Sequence, residues 1–175
     1  ILSLRLDSDM PELNAVVVEG GTSVLLDPEI SLSGCGCSDF TCKGAAVLAE
    51  SGAKVDIRNG KLITSGSTRA ATIATTGATL KVFDSELKTY GGPLPEGYVP
   101  VIGPGMMEPP APLGLGGNCR THLSMDNSES YFYRCKIYGE AWAALSTGSS
   151  GGYCYLEAND SSIDMGGNGY CIYSD

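Results

Sequence analysis

The chain has 175 residues, enough for one domain with its own core, and contains no run of 18 consecutive apolar residues, so we predict no membrane span. Its formal net charge of -9 argues against nucleic acid as a partner, because affinity for a phosphate backbone comes largely from lysine and arginine. Charged residues make up only 18% and there are 24 glycines, a composition that favours short strands and tight turns over long helices.

Five short segments repeat along the chain, each with a polar residue first, a small residue second and Ile or Leu fourth. The residues ahead of the last four copies alternate between polar and apolar, as a strand with one buried face requires. The spacings are 32, 25, 50 and 26 residues, which indicates a unit of about 25 with one gap doubled. The copies are DPEI (27–30), NGKL (59–62), DSEL (84–87), RCKI (134–137) and DSSI (160–163).

A second series of apolar segments precedes these motifs, so each unit contains at least two strands separated by a Gly, Ser or Asn corner. Such units stack into a solenoid in which equivalent positions lie about 4.8 Å apart. The second series centres on Val17, Leu48, Ile73, Leu123, Leu145 and Ile172. The predicted inner ladders are Val55, Leu80, Ser130 and Leu156; Ile57, Val82, Phe132 and Ala158; and Leu62, Leu87, Ile137 and Ile163.

This repeat pattern resembles the right-handed parallel β-helix, or pectin-lyase-like, superfamily over roughly residues 13 to 175. We therefore predict an all-β fold, a right-handed parallel β-helix solenoid of about six coils that forms one domain over residues 1–175. A β-sandwich or β-propeller fits less well, because hairpins join strands in pairs through short turns. The superfamily includes polysaccharide lyases, glycoside hydrolases, sugar epimerases, phage tailspikes and non-catalytic adhesins, and the repeats do not select among them.

The doubled gap contains seven of the nine prolines. A proline inside a stacked coil would remove a hydrogen bond to a neighbouring coil, so residues 91–117 are predicted to leave the stack as a Pro/Gly-rich inserted loop. The loop either covers neighbouring coils or forms one wall of a binding cleft. Its prolines are Pro93, Pro95, Pro100, Pro104, Pro109, Pro110 and Pro112.

The segment after this loop, residues 116–142, contains the only His and the only Trp. The predicted register places Leu123 inward, and so His122 and Ser124 outward. Outward tyrosines offer apolar ring faces with hydroxyl rims, which suit sugar rings; alternatively, they pack beneath the loop. The predicted substrate-binding residues are Tyr131, Tyr133, Tyr138 and Glu129.

Catalysis in this segment would take one of two forms. Proton abstraction beside a uronic-acid carboxylate needs a base, His122 or a tyrosine, and a cation for the enolate, Arg120 or Arg134. Hydrolysis needs two carboxylates, but the compact Asp-Asp cluster near a Gly-His pair that the superfamily's hydrolases carry is missing here. We therefore favour elimination or isomerisation. The carboxylate candidates are Asp126, Glu129, Glu140, Asp84 and Asp160, and the predicted catalytic set is His122, Arg120, Arg134 and Asp126.

Polar residues recur at one corner of the repeat, where Asn and Asp side chains usually satisfy turn amides. Arg134 interrupts the row and is predicted to pair with Asp84 or Asp160. We expect no cofactor, although a calcium site built from the corner carboxylates is an alternative. The corner residues are Asp27, Asn59, Asp84, Arg134 and Asp160.

The seven cysteines define neither a metal site nor a disulfide framework. Cys35, Cys37 and Cys42 are dense enough for a zinc site, but three sulfurs without a nearby His make this a weak hypothesis, and we predict no metal. Cys135 occupies a position that is Gly or Ser in other repeats, so it is predicted to be a buried filler.

The sequence favours a carbohydrate-active or carbohydrate-binding protein, with lyase or isomerase chemistry on an acidic polysaccharide if it is an enzyme. The alternatives are a non-catalytic surface or assembly module, and an enzyme for a small apolar or aromatic substrate, suggested by Met106 and Met107. Composition indicates an extracellular or cell-surface location. Because the last segment begins a coil without completing it, we expect a fragment of a longer β-helix, or a second polypeptide chain that continues the helix after Asp175.

Overall fold

The fold is a parallel β-helix, seen in a computed structural model that describes residues 3–148 and 152–175. In these residues 17 strands form three sheets, and every pairing between strands is parallel. The all-β solenoid prediction is thus confirmed. Within the same residues, no helix has the length and hydropathy needed to cross a membrane.

The chain visits the three sheets in turn, and each visit adds one strand beside the strand of the previous coil. The first sheet contains β1 (Arg5–Ser8), β4 (Glu29–Ser33), β7 (Lys61–Ser65), β10 (Glu86–Tyr90), β13 (Lys136–Gly139) and β16 (Ser162–Met165). The second sheet contains β2 (Val16–Glu19), β5 (Ala45–Glu50), β8 (Ala70–Ala74), β11 (Arg120–Met125), β14 (Trp142–Gly148) and β17 (Gly169–Tyr173). The third sheet contains β3 (Thr22–Leu26), β6 (Lys54–Arg58), β9 (Thr79–Phe83), β12 (Glu129–Tyr133) and β15 (Tyr155–Asn159).

The three predicted inner ladders are confirmed residue by residue. In the third sheet Ile57 pairs with Val82 and Val82 with Phe132, and all three side chains are completely buried. The ladders through Leu80 and Leu87 are equally regular. Stacking like residues in every coil therefore builds one continuous apolar core.

The predicted orientation in the second sheet is wrong by one residue. Leu123 pairs with Ser146, whereas His122 pairs with Leu145. Leu145 lies in the central core, so His122 points inward, and Leu123 belongs to a separate cluster on the outer side of the sheet. A shift of one residue moves every side chain of a strand to the opposite face, which explains why the prediction reversed both positions.

The corner between the third and first sheets uses the left-handed backbone region. The corner amides find other partners than predicted: the Gly60 amide donates to the Ser85 hydroxyl (2.8 Å), and the Cys135 amide to Ser161 (3.0 Å). The serine of the next coil, and not the corner Asp or Asn, thus binds the turn at these positions. The corner residues are Asp27 (φ 50°), Asn59 (53°), Asp84 (51°), Arg134 (54°) and Asp160 (50°).

Two long segments leave the stack at the corner between the first and second sheets, residues 34–44 and 91–119. The second of these contains only one short 3-10 helix, Ala111–Leu113. Both pack on the outer side of the second sheet: Phe40 contacts the clusters that contain Leu123 and Trp142, and Met106 belongs to the Trp142 cluster. Because both segments lie on this face, they leave the third sheet uncovered.

Candidate functional site

The uncovered outer side of the third sheet, which we call the third-sheet face, is a regular grid of outward side chains. Each strand contributes three of them, and the register stacks them into columns along the helix axis. One column runs Thr22, Lys54, Thr79, Glu129, Tyr155; the next Val24, Asp56, Lys81, Tyr131, Glu157; and the third Leu26, Arg58, Phe83, Tyr133, Asn159.

Aromatic rings connect three successive coils on this face. Phe83 and Tyr133 stack with their centroids 5.2 Å apart and their planes at 15°. Tyr131 lies beside Tyr133 at 6.4 Å, with the planes at 7°, and contacts Tyr155 of the next coil at 5.4 Å. The rings support one another, which fixes their positions without a covering loop.

Two glutamates hold the tyrosine hydroxyls. Tyr131 donates to Glu129 (3.0 Å), while Tyr133 and Tyr155 both donate to Glu157 (3.1 and 2.7 Å). The hydrogen bond to Glu129 raises the pKa of Tyr131 to about 12, and the hydrogen bond from Tyr155 is the main cause that lowers the pKa of Glu157. The phenols therefore stay protonated near neutral pH, and Glu157 stays ionised.

The adjoining coils of the face are basic. Lys54 and Lys81 line a depression of about 300 Å³ together with Thr22, Asp56 and Thr79. Among the described residues neither lysine forms an ion pair, and the ammonium group of Lys81 lies 5.5 Å from the centre of the Tyr131 ring. The face therefore presents cations, hydroxyls and aromatic rings side by side.

Three of the four predicted substrate-binding residues lie together on this face, namely Tyr131, Tyr133 and Glu129. The ring contacts of the two tyrosines are to residues of the same face, not to the proline-rich segment. Tyr138 is separate, because it lies on the first sheet, where it contacts Tyr90 at 5.4 Å.

His122, the predicted base, is inside the helix and not on its surface. Its side chain is completely buried, with Nδ1 2.9 Å from the Thr72 hydroxyl and Nε2 2.8 Å from that of Ser124. Ser124 continues to Ser130 at 2.8 Å, and the ring meets Phe132 edge-on. Burial lowers the pKa of His122 to about 3, so the imidazole is neutral and out of reach of an external substrate.

Arg120 lies on the outer side of the second sheet, beneath the two inserted segments. Its side chain is 3% exposed and pairs with Asp39 at 2.9 Å. The guanidinium group lies 3.8 Å from the centre of the Trp142 ring and 5.4 Å from that of Phe40. Arg120 is thus enclosed by protein groups and almost inaccessible to solvent.

The other two predicted catalytic residues are at corners. Arg134 forms the predicted pair with Asp84, through two hydrogen bonds of 2.6 and 2.8 Å. Asp126 follows β11 with φ 50° and accepts a hydrogen bond from Thr75 (3.0 Å). His122 lies in the interior, Arg120 lies on the covered side, and Arg134 and Asp126 lie at two corners. The four predicted catalytic residues therefore do not meet in one cleft.

Sequence reasoning did not single out one buried arginine and two lysines of the third-sheet face. Arg69 is completely buried and donates to four backbone carbonyls, at 2.6 to 2.8 Å. A single charge inside the uncharged run TSGSTRAATIA was the available signal. The outward direction of Lys54 and Lys81 could have been deduced from the inner ladders, because outward residues alternate with inward residues along a strand. The carbonyls that bind Arg69 belong to Gly34, Leu13, Met10 and Ser33.

The cysteines carry free thiols throughout. Cys135 is buried and fills the position predicted for it. Within residues 3–148 and 152–175, no three His, Cys, Asp or Glu side chains are grouped so that they would hold a metal ion.

Comparison with known proteins gives no assignment, since no protein family, curated protein or solved structure matches this chain. The geometry of the third-sheet face is therefore the basis for a functional proposal.

Proposed function

We propose that this protein is a carbohydrate-binding β-helix, of the right-handed pectin-lyase-like type, that binds an acidic polysaccharide along the third-sheet face. The observation that carries the proposal is the juxtaposition, on one uncovered face, of Lys54 and Lys81 with the rings of Tyr131 and Tyr133. Sugar rings pack on aromatic side chains, while the ammonium groups would pair with uronate carboxylates.

The face supports binding of an extended ligand because its three columns of outward side chains run across five successive coils. Thr79 and Glu129 stand in one column between Lys54 and Tyr155, so hydroxyl and carboxylate acceptors for sugar hydroxyls lie beside the cations and rings. Strands of successive coils are about 4.8 Å apart, so an extended polymer could contact the basic coils and the aromatic coils at the same time.

We favour binding without turnover. Tyr131 is the base candidate on this face, but its pKa is raised, chiefly by the hydrogen bond to Glu129, which keeps the phenol protonated. His122 is buried, and Arg120 is covered and paired. Lyase or isomerase chemistry is the catalytic version of the proposal, and an absorbance assay for unsaturated products on the same polysaccharides distinguishes the two versions.

Affinity electrophoresis and calorimetry with polygalacturonate, and with dextran as an uncharged polymer, test the proposal. Tyr131→Ala and Lys81→Ala should each weaken polygalacturonate binding about tenfold, because each removes one of the grouped contacts. Tyr138→Ala is the matched control, since it removes the same group from another sheet and should leave binding unchanged. Equal losses in Tyr131→Ala and Tyr138→Ala, or no binding by the native chain, would contradict the proposal.

A second proposal, an assembly module, is supported by the last coil. Strands β15, β16 and β17 each have a neighbouring strand on one side only, and the side chains of Tyr170 and Ile172 are 41% and 55% exposed. Parallel strands of a second polypeptide would pair with these edges and continue the core. Light scattering and native mass spectrometry test this; a lone monomer of about 18.1 kDa at all concentrations would overturn it.

A further inference from the structure

The inserted segments line an open apolar depression of about 400 Å³ on the covered side of the molecule, away from the third-sheet face. The two segments that form it, residues 34–44 and 91–119, come from different coils. Its lining comprises Phe40, Ile102, Gly103, Pro104, Met106, Pro110 and Asp175, of which only Asp175 is charged. We call it the apolar depression.

The wall formed by Phe40 and Met106 is held in place by contacts within the protein. The Asp39 amide donates to the carbonyl of Met106 (2.9 Å), which joins the two inserted segments. The Asp39 carboxylate pairs with Arg120, whose guanidinium lies against the rings of Phe40 and Trp142. A ligand that packs on a fixed wall loses less free energy to ordering of the protein.

Two further features of this region are left-handed backbone at two aromatic residues and a buried donor without an acceptor. Phe40 and Trp142 both adopt a left-handed backbone, with φ 68° and 67°, which is unusual for bulky residues. Trp142 is also buried, and its indole N–H finds no acceptor among the described residues. Strained backbone and unsatisfied donors cluster at ligand sites, and Trp142 packs in one cluster with Met106 and Phe40.

We propose that the apolar depression binds a small, uncharged molecule that contains an aromatic or alicyclic ring. Its volume of about 400 Å³ lies in the range of small-molecule sites, about 300 to 1,000 Å³. The flat surfaces of Phe40, Pro104 and Pro110 suit a ring, and the Met106 side chain adapts to its outline. An anion is disfavoured because Asp175 is the charged group of the lining.

N-phenyl-1-naphthylamine, an uncharged aromatic probe, tests the proposal on the whole chain. Binding should be saturable, should brighten the probe, and should quench Trp142, the only tryptophan, through energy transfer. Ile102→Ser should weaken binding about tenfold, because it removes a lining side chain that the ligand would cover. Ile102 is 79% exposed in the free protein, so the replacement should not unfold the chain.

Val99→Ser is the matched control. Val99 is 71% exposed and belongs to the same inserted segment, but it does not line the apolar depression. Its replacement should leave the affinity within about twofold of the native value. Equal weakening by Val99→Ser and Ile102→Ser would show non-specific adsorption to apolar surface, and a probe signal that never saturates would likewise overturn the proposal.

Discussion

The outer sides of the second and third sheets belong to the same coils but have opposite chemistry. In the third sheet the central strands β6, β9 and β12 alternate between buried and more exposed residues. In the second sheet every residue of β8, β11 and β14 is buried, because the inserted segments cover that side. One side of the solenoid has thus become a second core, while the other has kept polar and aromatic groups in contact with solvent.

This difference explains where sequence periodicity succeeds. In a strand with one exposed side, polar and apolar residues alternate in the sequence and so indicate which side is buried. A strand buried on both sides has a continuous run of apolar or small residues, which gives no such indication. In WAALSTG, Leu145 and Ser146 are both completely buried, on opposite sides of the sheet. Apolar content alone therefore cannot tell the inner side from the covered side.

The largest effect expected is at the inner ladder beneath the third-sheet face. Val82→Asp should abolish folding, because it places an unpaired carboxylate in a continuous apolar core, at a cost of several kcal/mol. Circular dichroism and solubility report the loss. Lys81→Asp, one residue away on the exposed side, is the control and should fold. A Val82→Asp variant that melts cooperatively near the native temperature would contradict the assigned register.

The next largest effect should distinguish the covered side from the exposed corners. Asp39→Ala leaves Arg120 buried without its partner, and we expect a loss of about 3 to 5 kcal/mol in the free energy of unfolding. Limited proteolysis should then cleave within residues 34–44 and 91–119. Urea denaturation and proteolysis measure the two consequences.

Asp84→Ala is the control for that experiment, since it breaks an ion pair whose side chains are 56% and 44% exposed. Solvent already screens this pair, so the variant should be much closer to the native chain in stability. Replacing both buried partners, as in Asp39→Leu with Arg120→Met, should restore part of the loss, because no charge is then left buried. Equal destabilisation by Asp39→Ala and Asp84→Ala would contradict the difference between the two sides.

The same contrast sets the limit of sequence reasoning about the site. The outward direction of Tyr131, Tyr133 and Glu129 could be predicted because the ladder through Phe132 fixes it. His122 and Arg120 were misplaced because nothing near them in sequence specifies residues 34–44, which supply Asp39 and Phe40 from another coil. Contacts between a strand and an inserted segment from another coil leave no periodic pattern in the sequence.

A smaller effect concerns pH and the interior of the second sheet. Burial lowers the pKa of His122 from 6.5 to about 3, so the folded state disfavours the imidazolium. The contribution of the neutral imidazole to the free energy of unfolding is fully present above the pKa that His122 has in the unfolded chain. This contribution falls by about 2 kcal/mol as the pH drops from 6.5 to about 5. Urea denaturation across this range should show the slope.

His122→Gln should lack that slope, whatever its absolute stability. Burial also raises the pKa of Asp39, which acts in the opposite direction as pH falls, so the difference between the two proteins isolates the histidine. If the native chain and His122→Gln lose stability in parallel, the imidazole is not the group that senses pH.

The smallest effect expected is at the corner between the second and third sheets, where the backbone conformation of one residue determines the change in stability. Thr76 adopts φ 52°, which is costly for a β-branched residue, while the equivalent corner after β11 uses Asp126 and Asn127. Thr76→Asn should therefore stabilise the protein by about 1 kcal/mol and raise the melting temperature by roughly 2 to 4 °C. Thr79→Asn makes the same chemical change in the extended strand β9, where asparagine is disfavoured, and should not stabilise. A gain in both variants, measured by calorimetry, would point to a general effect of asparagine and contradict relief of strain at the corner.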